Sequence, residues 1–131
     1  MHRLIDPLEC RELIKDNLEY FTFDEEEWLS NLDNYALVSG DNVAFAEYKL
    51  PGVYWVHFCF NSARGRKAIS LVKEIREAFI HTKEVRALIG LIELKNKKAR
   101  WLIRQAEFES LGEIETHLGR CELFYWLKGT N

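Results

Sequence analysis

The sequence predicts an α/β domain in which helices pack against a sheet, and two patterns in its 131 residues lead to this prediction. Short apolar segments bounded by turn residues, typical of strands, alternate with segments whose apolar residues recur at helical spacing. The composition, 47% hydrophobic and 13% aromatic, supplies enough apolar side chains for a core. Because no linker or repeat interrupts the chain, we expect a single domain over residues 1–131.

The N-terminal part is predicted to form a short strand, MHRLI, followed by two short helices. Asp6 and Pro7 are typical of a helix start. The apolar residues that follow at roughly helical spacing are Leu8, Leu13 and Ile14. Thr22 or Asp24 is the candidate N-cap of the second helix. The predicted inward face of that helix consists of Trp28, Leu29 and Leu32.

The middle of the chain is predicted to contain three strands and the longest amphipathic helix. The strands are Tyr35–Val38, Val43–Leu50 and Val53–Phe60, separated by turn residues. The third of them, VYWVHFCF, is nearly apolar throughout, which predicts a central strand covered on both faces. The segment AISLVKEIREAFI has apolar residues at positions i, i+3, i+4 and i+7, which predicts a helix.

The C-terminal part is predicted to form a strand, a helix and two closing strands. Val85–Leu94 is an apolar strand in which Gly90 marks either a bulge or a close backbone approach. KNKKARWLIRQAEF is predicted as a helix with Arg100 facing outward. The closing strands are Leu111–Thr116 and Cys121–Leu127, and the complete order is β-α-α-β-β-β-α-β-α-β-β.

Charge is distributed unevenly along the chain, whose formal net charge is -3. Residues 1–60 carry four basic and twelve acidic side chains, whereas residues 61–131 carry fourteen basic and nine acidic side chains. The basic half either binds an anionic ligand or simply has solvated helix faces. Nucleic-acid binding is disfavoured because the pI is about 5.8 and the basic helix also has an apolar face.

The cysteines and apolar runs exclude several other classes of protein. Three widely spaced cysteines and four scattered histidines form no disulfide framework and no metal-site motif. No apolar run approaches the ~20 residues of a membrane span, and the N-terminus does not resemble a leader peptide. We therefore expect a cytoplasmic protein with no metal and no membrane partner.

The segment NSARGRK, between the central strand and the long helix, is the strongest candidate binding site. A turn that enters a helix presents unpaired backbone N–H groups at the positive end of the helix dipole. Arg64, Arg66 and Lys67 add positive charge beside Gly65, which suits a phosphate or pyrophosphate. The alternative is a surface loop in which Gly65 only provides a left-handed turn.

Two segments resemble motifs of the GNAT N-acetyltransferase superfamily, and the resemblance spans nearly the full chain. The family's cofactor loop, [QR]xxGx[GA], is similar to SARGRK at Arg64 and Gly65, although Ser62 and Lys67 depart from it. The family's stretch NxxAxxLYxxxGF is similar to NKKARWLIRQAEF. The residues that match this second motif are Asn96, Ala99, Leu102 and Phe108. Ile103 replaces the tyrosine that commonly serves as general acid, and Glu107 replaces a glycine.

The resemblance implies a GNAT-like mixed sheet of six to seven strands with helices on both faces, and a protein that uses acetyl-CoA. It implies that the pantetheine arm binds the backbone of Phe58, Cys59 and Phe60 and also faces Asn96. It implies that the pyrophosphate binds the amides near Arg64, Gly65, Arg66, Lys67 and Ala68. Arg100 would reach a phosphate from the neighbouring helix.

The chemistry of acetyl transfer requires a base for the amine proton, and the sequence offers two candidates. His57 on the central strand is either this base or a hydrogen-bonded core histidine. Glu93, near the end of the next strand, is either the base or an exposed carboxylate paired with Lys95. Tyr54 or Tyr125 could replace the missing acid, and Cys59 fits a small buried residue better than a nucleophile.

Two functions are consistent with these residues. The first is an acetyl-CoA-dependent N-acetyltransferase acting on a primary amine of a small molecule or protein, with a cationic acceptor favoured by the acidic first half. The second is a GNAT-like fold that has lost catalysis and serves as an interaction or assembly protein, similar to small, divergent, phage-encoded and virion-associated members. A homodimer through the aromatic closing strand LFYWL is a further expectation.

Overall fold

The computed structural model describes residues 3–17, 23–117 and 119–129, which form one mixed sheet of seven strands with helices packed against it. The strands are β1 (Arg3–Ile5), β2 (Tyr35–Ser39), β3 (Asn42–Leu50), β4 (Val53–Cys59), β5 (Ala87–Glu93), β6 (Glu109–Thr116) and β7 (Gly119–Leu127). A 3₁₀ turn at Pro7–Glu9 precedes the helices α1 (Arg11–Asp16), α2 (Glu25–Ser30), α3 (Gly65–Lys83) and α4 (Lys97–Gln105). The predicted α/β fold and element order are confirmed.

The strands lie in the order β1-β2-β3-β4-β5-β7-β6, which places β4 and β5 at the centre. These two strands pair in parallel, whereas the other neighbouring pairs of the described strands are antiparallel. A parallel pair needs a crossover, and α3 provides it. The apolar sequence of β4 is explained by its central position, as predicted.

Side chains alternate along each strand, so both faces of the sheet carry apolar residues. Helices cover both faces. On one face, called here the α3–α4 face, a core cluster contains Val56 and Leu88 together with Phe79 of α3 and Ile103 of α4. On the other, the α1–α2 face, a second cluster packs around Trp28, whose ring meets that of Phe45 edge-on at 5.7 Å, and includes Cys59 of β4. Neighbouring residues of β4 therefore serve two different cores.

Three details differ from the sequence predictions. Helix α2 ends at Ser30, so Leu32 lies beyond it with 69% of its surface exposed instead of facing the core. Leu8 lies in the 3₁₀ turn and is likewise exposed. Gly90 marks no bulge, because β5 keeps a regular register with β7 there. Asp24 caps α2 by accepting a hydrogen bond from the Glu27 amide, whereas the other candidate cap, Thr22, lies outside the described residues.

Helix α4 is attached to β7 by a buried carboxylate, Glu122, which was not among the predicted site residues. Glu122, with a side chain only 5% exposed, accepts hydrogen bonds from Arg100 Nε at 2.8 Å and Arg104 Nη2 at 2.6 Å. Burial alone would raise the pKa of Glu122, but hydrogen bonds from Ser110 and Arg100 and the charge of Arg104 outweigh burial and lower it. The carboxylate therefore stays ionised beside its two cations.

Replacing Glu122 with glutamine is expected to destabilise the protein at pH 7 and to reduce its sensitivity to acid. The expected loss is about 2 kcal/mol, below the ~3–5 kcal/mol for a fully buried pair, because Arg104 is half exposed. Because the folded pKa is the lower one, the carboxylate stabilises the fold above its unfolded pKa of ~4.3, and this contribution disappears as the pH falls through the folded pKa. Urea unfolding at pH 7 and pH 3 measures both effects.

Glu113→Gln is the matched control. Glu113 lies on the edge strand β6 and forms an exposed ion pair with Arg120 of β7. It should change the free energy of unfolding by less than about 1 kcal/mol. Equal losses in the two variants would show that the buried pair contributes no more than a surface pair.

Candidate active site

The central parallel pair separates part of the way along the sheet. Pairing of β4 with β5 covers Val53–Trp55 and Ala87–Ile89, although β4 continues to Cys59 and β5 to Glu93. Beyond Trp55 and Ile89 the strands diverge, which leaves the edge of β4 that faces β5 without a strand partner. We call this separation the fork. It produces an opening at the centre of the sheet, which continued pairing of β4 with β5 would otherwise close.

The fork contains a cleft with two adjoining parts. The inner cavity, about 100 Å³, lies between the strands; its walls include Val56, Gly90, Glu93 and Ile103. The outer groove, about 510 Å³, extends to the start of α3. Four residues line both parts, namely Phe58, Asn96, Ala99 and Leu102. The cleft is therefore apolar along its length and receives charged residues at its two ends.

The turn before α3 forms the basic end of the outer groove. Gly65 has φ +55°, a conformation that favours glycine, and a Cβ at this position would meet no atom within 4 Å. The amides of Gly65 and Arg66 donate to no acceptor in the described part of the chain, as expected for the first turn of a helix. Arg64 and Lys98 also line the groove. Open space, free amides and positive charge together suit an anion.

Asn42 fixes the shape of this turn. Its Oδ1 accepts hydrogen bonds from the backbone amides of Asn61, Ser62 and Ala63 at 3.0, 3.1 and 3.1 Å. Asn42 is buried at the start of β3, twenty residues away in sequence. This role was not predictable from the local sequence, because an asparagine in the segment Gly40-Asp41-Asn42 is already explained by the turn between two strands.

The predicted cofactor residues fall into three groups. Phe58 and Asn96 line both parts of the cleft, and the residues that line only the outer groove are Cys59, Phe60, Arg64, Gly65 and Ala68. The side chains of Arg66 and Lys67 instead border a neighbouring depression with Ser62 and Ser70. The side-chain amide oxygen of Asn96 caps α4 by accepting from the Ala99 amide at 3.2 Å.

Arg100 does not have the position that the resemblance implied. Its guanidinium is partly buried and donates to Glu122 and, through Nη1, to the carbonyl of Leu94 at 3.0 Å. A side chain committed to two protein acceptors in this way is part of the attachment of α4. We therefore remove Arg100 from the candidate phosphate ligands, and Lys98 on the same helix takes its place.

His57 is also positioned differently from a base of the cleft. Its side chain is on the α1–α2 face of β4, where its ring lies 6.4 Å from that of Phe23, and it does not line the cleft. Burial lowers the pKa of His57 to about 4, so the imidazole is neutral and weakly basic near pH 7. The structure thus favours the core-histidine alternative.

Glu93 is the titratable side chain at the inner end of the cleft. It lines the inner cavity at the end of β5, is 33% exposed and lies 3.2 Å from Lys95 Nζ. This carboxylate contacts both the cavity and solvent, so it can accept a proton from a bound group and release it to water. Of the two predicted bases, Glu93 alone faces the cleft.

The cleft offers no obvious general acid among its described residues. Ile103 lines the inner cavity where the family motif has tyrosine. Tyr54 lies among the rings of Tyr35 and Tyr48, and the Tyr125 hydroxyl donates to Glu109 at 2.7 Å. Burial raises the pKa of the Cys59 thiol to about 12, which argues against a thiolate nucleophile.

Comparison with solved structures identifies the fold. The chain is similar to aminoglycoside acetyltransferase AAC(6')-Ib in complex with coenzyme A and kanamycin, with a TM-score of 0.67 and 17% identity over 98% of this chain and 94% of that one. It is also similar to spermidine N-acetyltransferase SpeG from Vibrio cholerae, as its F149A mutant (TM-score 0.74, 11% identity, 97% and 94% covered). A third similar structure is N-acetyltransferase PseH of Campylobacter jejuni in complex with acetyl coenzyme A (TM-score 0.70, 12% identity, 98% and 100% covered).

These similarities confirm the predicted GNAT-like fold, and identities of this size establish the fold alone. Neither a model of a known protein family nor a curated protein sequence matches the chain. None of the described helices is long and apolar enough to cross a membrane. Within the described ranges, no group of three or more His, Cys, Asp or Glu residues is arranged to hold a metal ion.

Proposed function

We propose that the protein is an N-acetyltransferase that transfers the acetyl group of acetyl-CoA to a primary amine. The observation that carries this proposal is the cleft in the fork, which connects the basic turn at Gly65 with the carboxylate of Glu93. A long ligand with an anionic end and a reactive end matches such a cleft. The similar structures that contain coenzyme A or acetyl coenzyme A support this assignment.

The residues of the cleft match the parts of coenzyme A in order. The free amides of Gly65 and Arg66 and the charges of Arg64 and Lys98 suit the phosphates. The apolar walls at Phe58 and Leu102 suit the pantetheine arm. The amide groups of that arm can pair with the edge of β4 that β5 leaves open beyond Trp55.

Acetyl transfer then requires one proton acceptor and one proton donor. The amine nitrogen attacks the thioester carbonyl carbon, the C–S bond breaks, and an amide and the coenzyme A thiolate result. Glu93 accepts the proton that the amine nitrogen loses, directly or through a water molecule. Because Ile103 cannot donate a proton, the thiolate takes its proton from solvent. We expect the protein to be slower than an enzyme that has an acid at this position.

A cationic amine is the proposed acceptor. The first sixty residues, which include α1, α2 and β1–β4, carry twelve acidic and four basic side chains. This negative half favours an acceptor with additional positive charge. Kanamycin and spermidine, named with two of the similar proteins, are amines of this kind.

The alternative function, a partner-binding protein without catalysis, predicts that side chains fill the fork. The structure does not show this filling. Trp101 is 48% exposed at the outer groove, and the Phe58 ring packs against Phe60 and Phe108 at 5.7 and 6.5 Å, which leaves the cleft open. The acetyltransferase is therefore the better-supported function. The homodimer, the cytoplasmic location and the similarity to phage-encoded members remain predictions.

Thermal unfolding with acetyl-CoA tests the proposal, with ATP at equal concentration as a polyanion control. Acetyl-CoA at a hundred times its Kd should stabilise the fold by ~2.7 kcal/mol, or several degrees, and ATP should not. Arg64→Glu should weaken acetyl-CoA binding about tenfold by placing a negative charge in the outer groove.

Arg66→Glu is the matched control, because it makes the same charge change in the same turn but its side chain borders the neighbouring depression. It should weaken binding less than Arg64→Glu does. The absence of any shift with acetyl-CoA would contradict the proposed function and would restore the partner-binding alternative.

A further inference from the structure

Strand β3 contains a bulge that places the side chain of Lys49 over a tryptophan. The register of β3 with β4 shifts between Tyr48 and Leu50, so Lys49 is the extra residue of the bulge. Its Nζ lies 2.5 Å from Glu47 Oε1 and 5.3 Å from the centre of the Trp55 ring. The ammonium group of Lys49 thus lies between the Glu47 carboxylate and the face of the Trp55 ring. We call the position between Glu47 and Trp55 the ammonium site.

The ammonium site lies beside the closed end of the fork. Glu47 and Trp55 face each other across β3 and β4, and Trp55 and Ile89 form the last pair before the fork opens. By strand alternation, Trp55 lies on the α1–α2 face, opposite the side chain of Val56. Glu93 is on the same face of β5 as Ile89 and lines the inner cavity. The ammonium site and Glu93 therefore lie on the same face of the sheet, with Glu93 four residues, or ~13 Å, beyond the last paired residue of β5.

The chemistry of this site is that of ammonium recognition. A carboxylate supplies charge-assisted hydrogen bonds, and the face of an indole ring attracts a cation through its quadrupole. The Glu47 side chain is only 17% exposed, so its charge is partly shielded from water, whereas Lys49 is 43% exposed. The ammonium group of Lys49 can return to water when it leaves, because the lysine side chain is itself partly exposed.

We infer that Glu47 and Trp55 bind a second, non-reacting ammonium group of the acceptor, and that Lys49 occupies their site until a diamine or polyamine displaces it. The role of the acceptor rests on the proposed function, whereas binding of the diamine does not. Lys49 then limits acceptor affinity: it competes with every substrate cation and selects those that bind strongly enough to replace it.

Calorimetric titration with 1,5-diaminopentane, in the absence of acetyl-CoA, tests this inference on the full chain. Lys49→Met should bind the diamine about fivefold to tenfold more tightly than the unmodified protein, because the internal competitor is gone. The double variant Lys49→Met/Glu47→Gln should lose this gain. Lys15→Met is the control for loss of a lysine charge alone, since Lys15 pairs with a well-exposed glutamate, Glu12, on α1, and it should leave the affinity unchanged.

The outcomes separate this inference from the proposed function. The inference would be overturned if Lys49→Met and Lys49→Gln remain folded but bind the diamine no better than the unmodified protein. It would also be overturned if the gain in affinity persists in the variant that lacks the Glu47 carboxylate. A protein that fails to bind acetyl-CoA would overturn the proposed function, yet a Glu47-dependent gain in diamine binding would still establish the ammonium site. If both hold, Lys49→Met should lower KM for spermine, which is long enough to span the ~13 Å between Ile89 and Glu93, more than KM for pentylamine in acetyl transfer.

Discussion

Replacing Gly90 with valine is expected to abolish the binding of acetyl-CoA while the protein remains folded. Gly90 follows Ile89, the last residue of β5 that pairs with β4, and lines the inner cavity. A Cβ at this position would lie 3.9 Å from the carbonyl oxygen of Val56, an ordinary contact. The two further carbons of valine would enter a cavity of only about 100 Å³.

The fold should tolerate this change, because valine favours the extended conformation of a strand. Gly90 lies in regular register opposite Phe124, and β-branched residues are favoured in strands over glycine. We expect an unchanged or slightly raised melting temperature together with a loss of about a hundredfold or more in kcat/KM. Few substitutions separate ligand binding from stability in this way, because most residues that line the inner cavity also belong to, or pack against, the core cluster of the α3–α4 face.

Gly90→Ala provides the graded control. It adds only the Cβ, which the space beside Val56 accommodates, so it should retain most of the affinity. Calorimetric titration of both variants with acetyl-CoA, beside their melting curves, makes the comparison. Wild-type affinity in a folded Gly90→Val protein would show that the reactive end of acetyl-CoA does not enter the inner cavity.

Local patterns were sufficient to predict the strands and the long helices of this fold. The apolar run of β4 and the helical spacing in α3 reflect the surroundings of each residue directly. The ends of short elements were less predictable, because Leu32 belongs to a helix only by its spacing and the chain leaves that helix after Ser30. The fork itself follows from how far β4 and β5 remain paired, which no local pattern encodes.

Contacts distant in sequence explain where the predicted site was incomplete. Arg100 is a basic residue on a predicted outer helix face, but β7 brings a buried carboxylate, Glu122, to that face. His57 has the residue type of a base, but burial lowers its pKa to about 4 and so weakens it as a base. One signal was available in the sequence: Glu122 is an acidic residue within the otherwise apolar segment CELFYWL, where a charge requires a partner.

Replacing Glu93 with glutamine is expected to reduce kcat by about 10²–10⁴-fold, because the amine then has no positioned proton acceptor. Glutamine keeps the shape of the side chain at the wall of the inner cavity, so the affinity for acetyl-CoA should change by less than about threefold. Steady-state acetylation of a diamine gives kcat, and titration with acetyl-CoA gives the affinity. Glu93→Asp, which retains a carboxylate, should recover part of the rate.

His57→Gln is the matched control for this experiment, since it removes the other predicted base from the neighbouring strand. With its pKa lowered to about 4 and its ring beside Phe23, His57 should affect kcat by less than about threefold. A loss in His57→Gln equal to that in Glu93→Gln would mean that Glu93 is not the sole group that removes the amine proton. An unchanged kcat in Glu93→Gln would exclude this carboxylate as the base, and solvent would then be the acceptor of the amine proton as well as the donor to the thiolate.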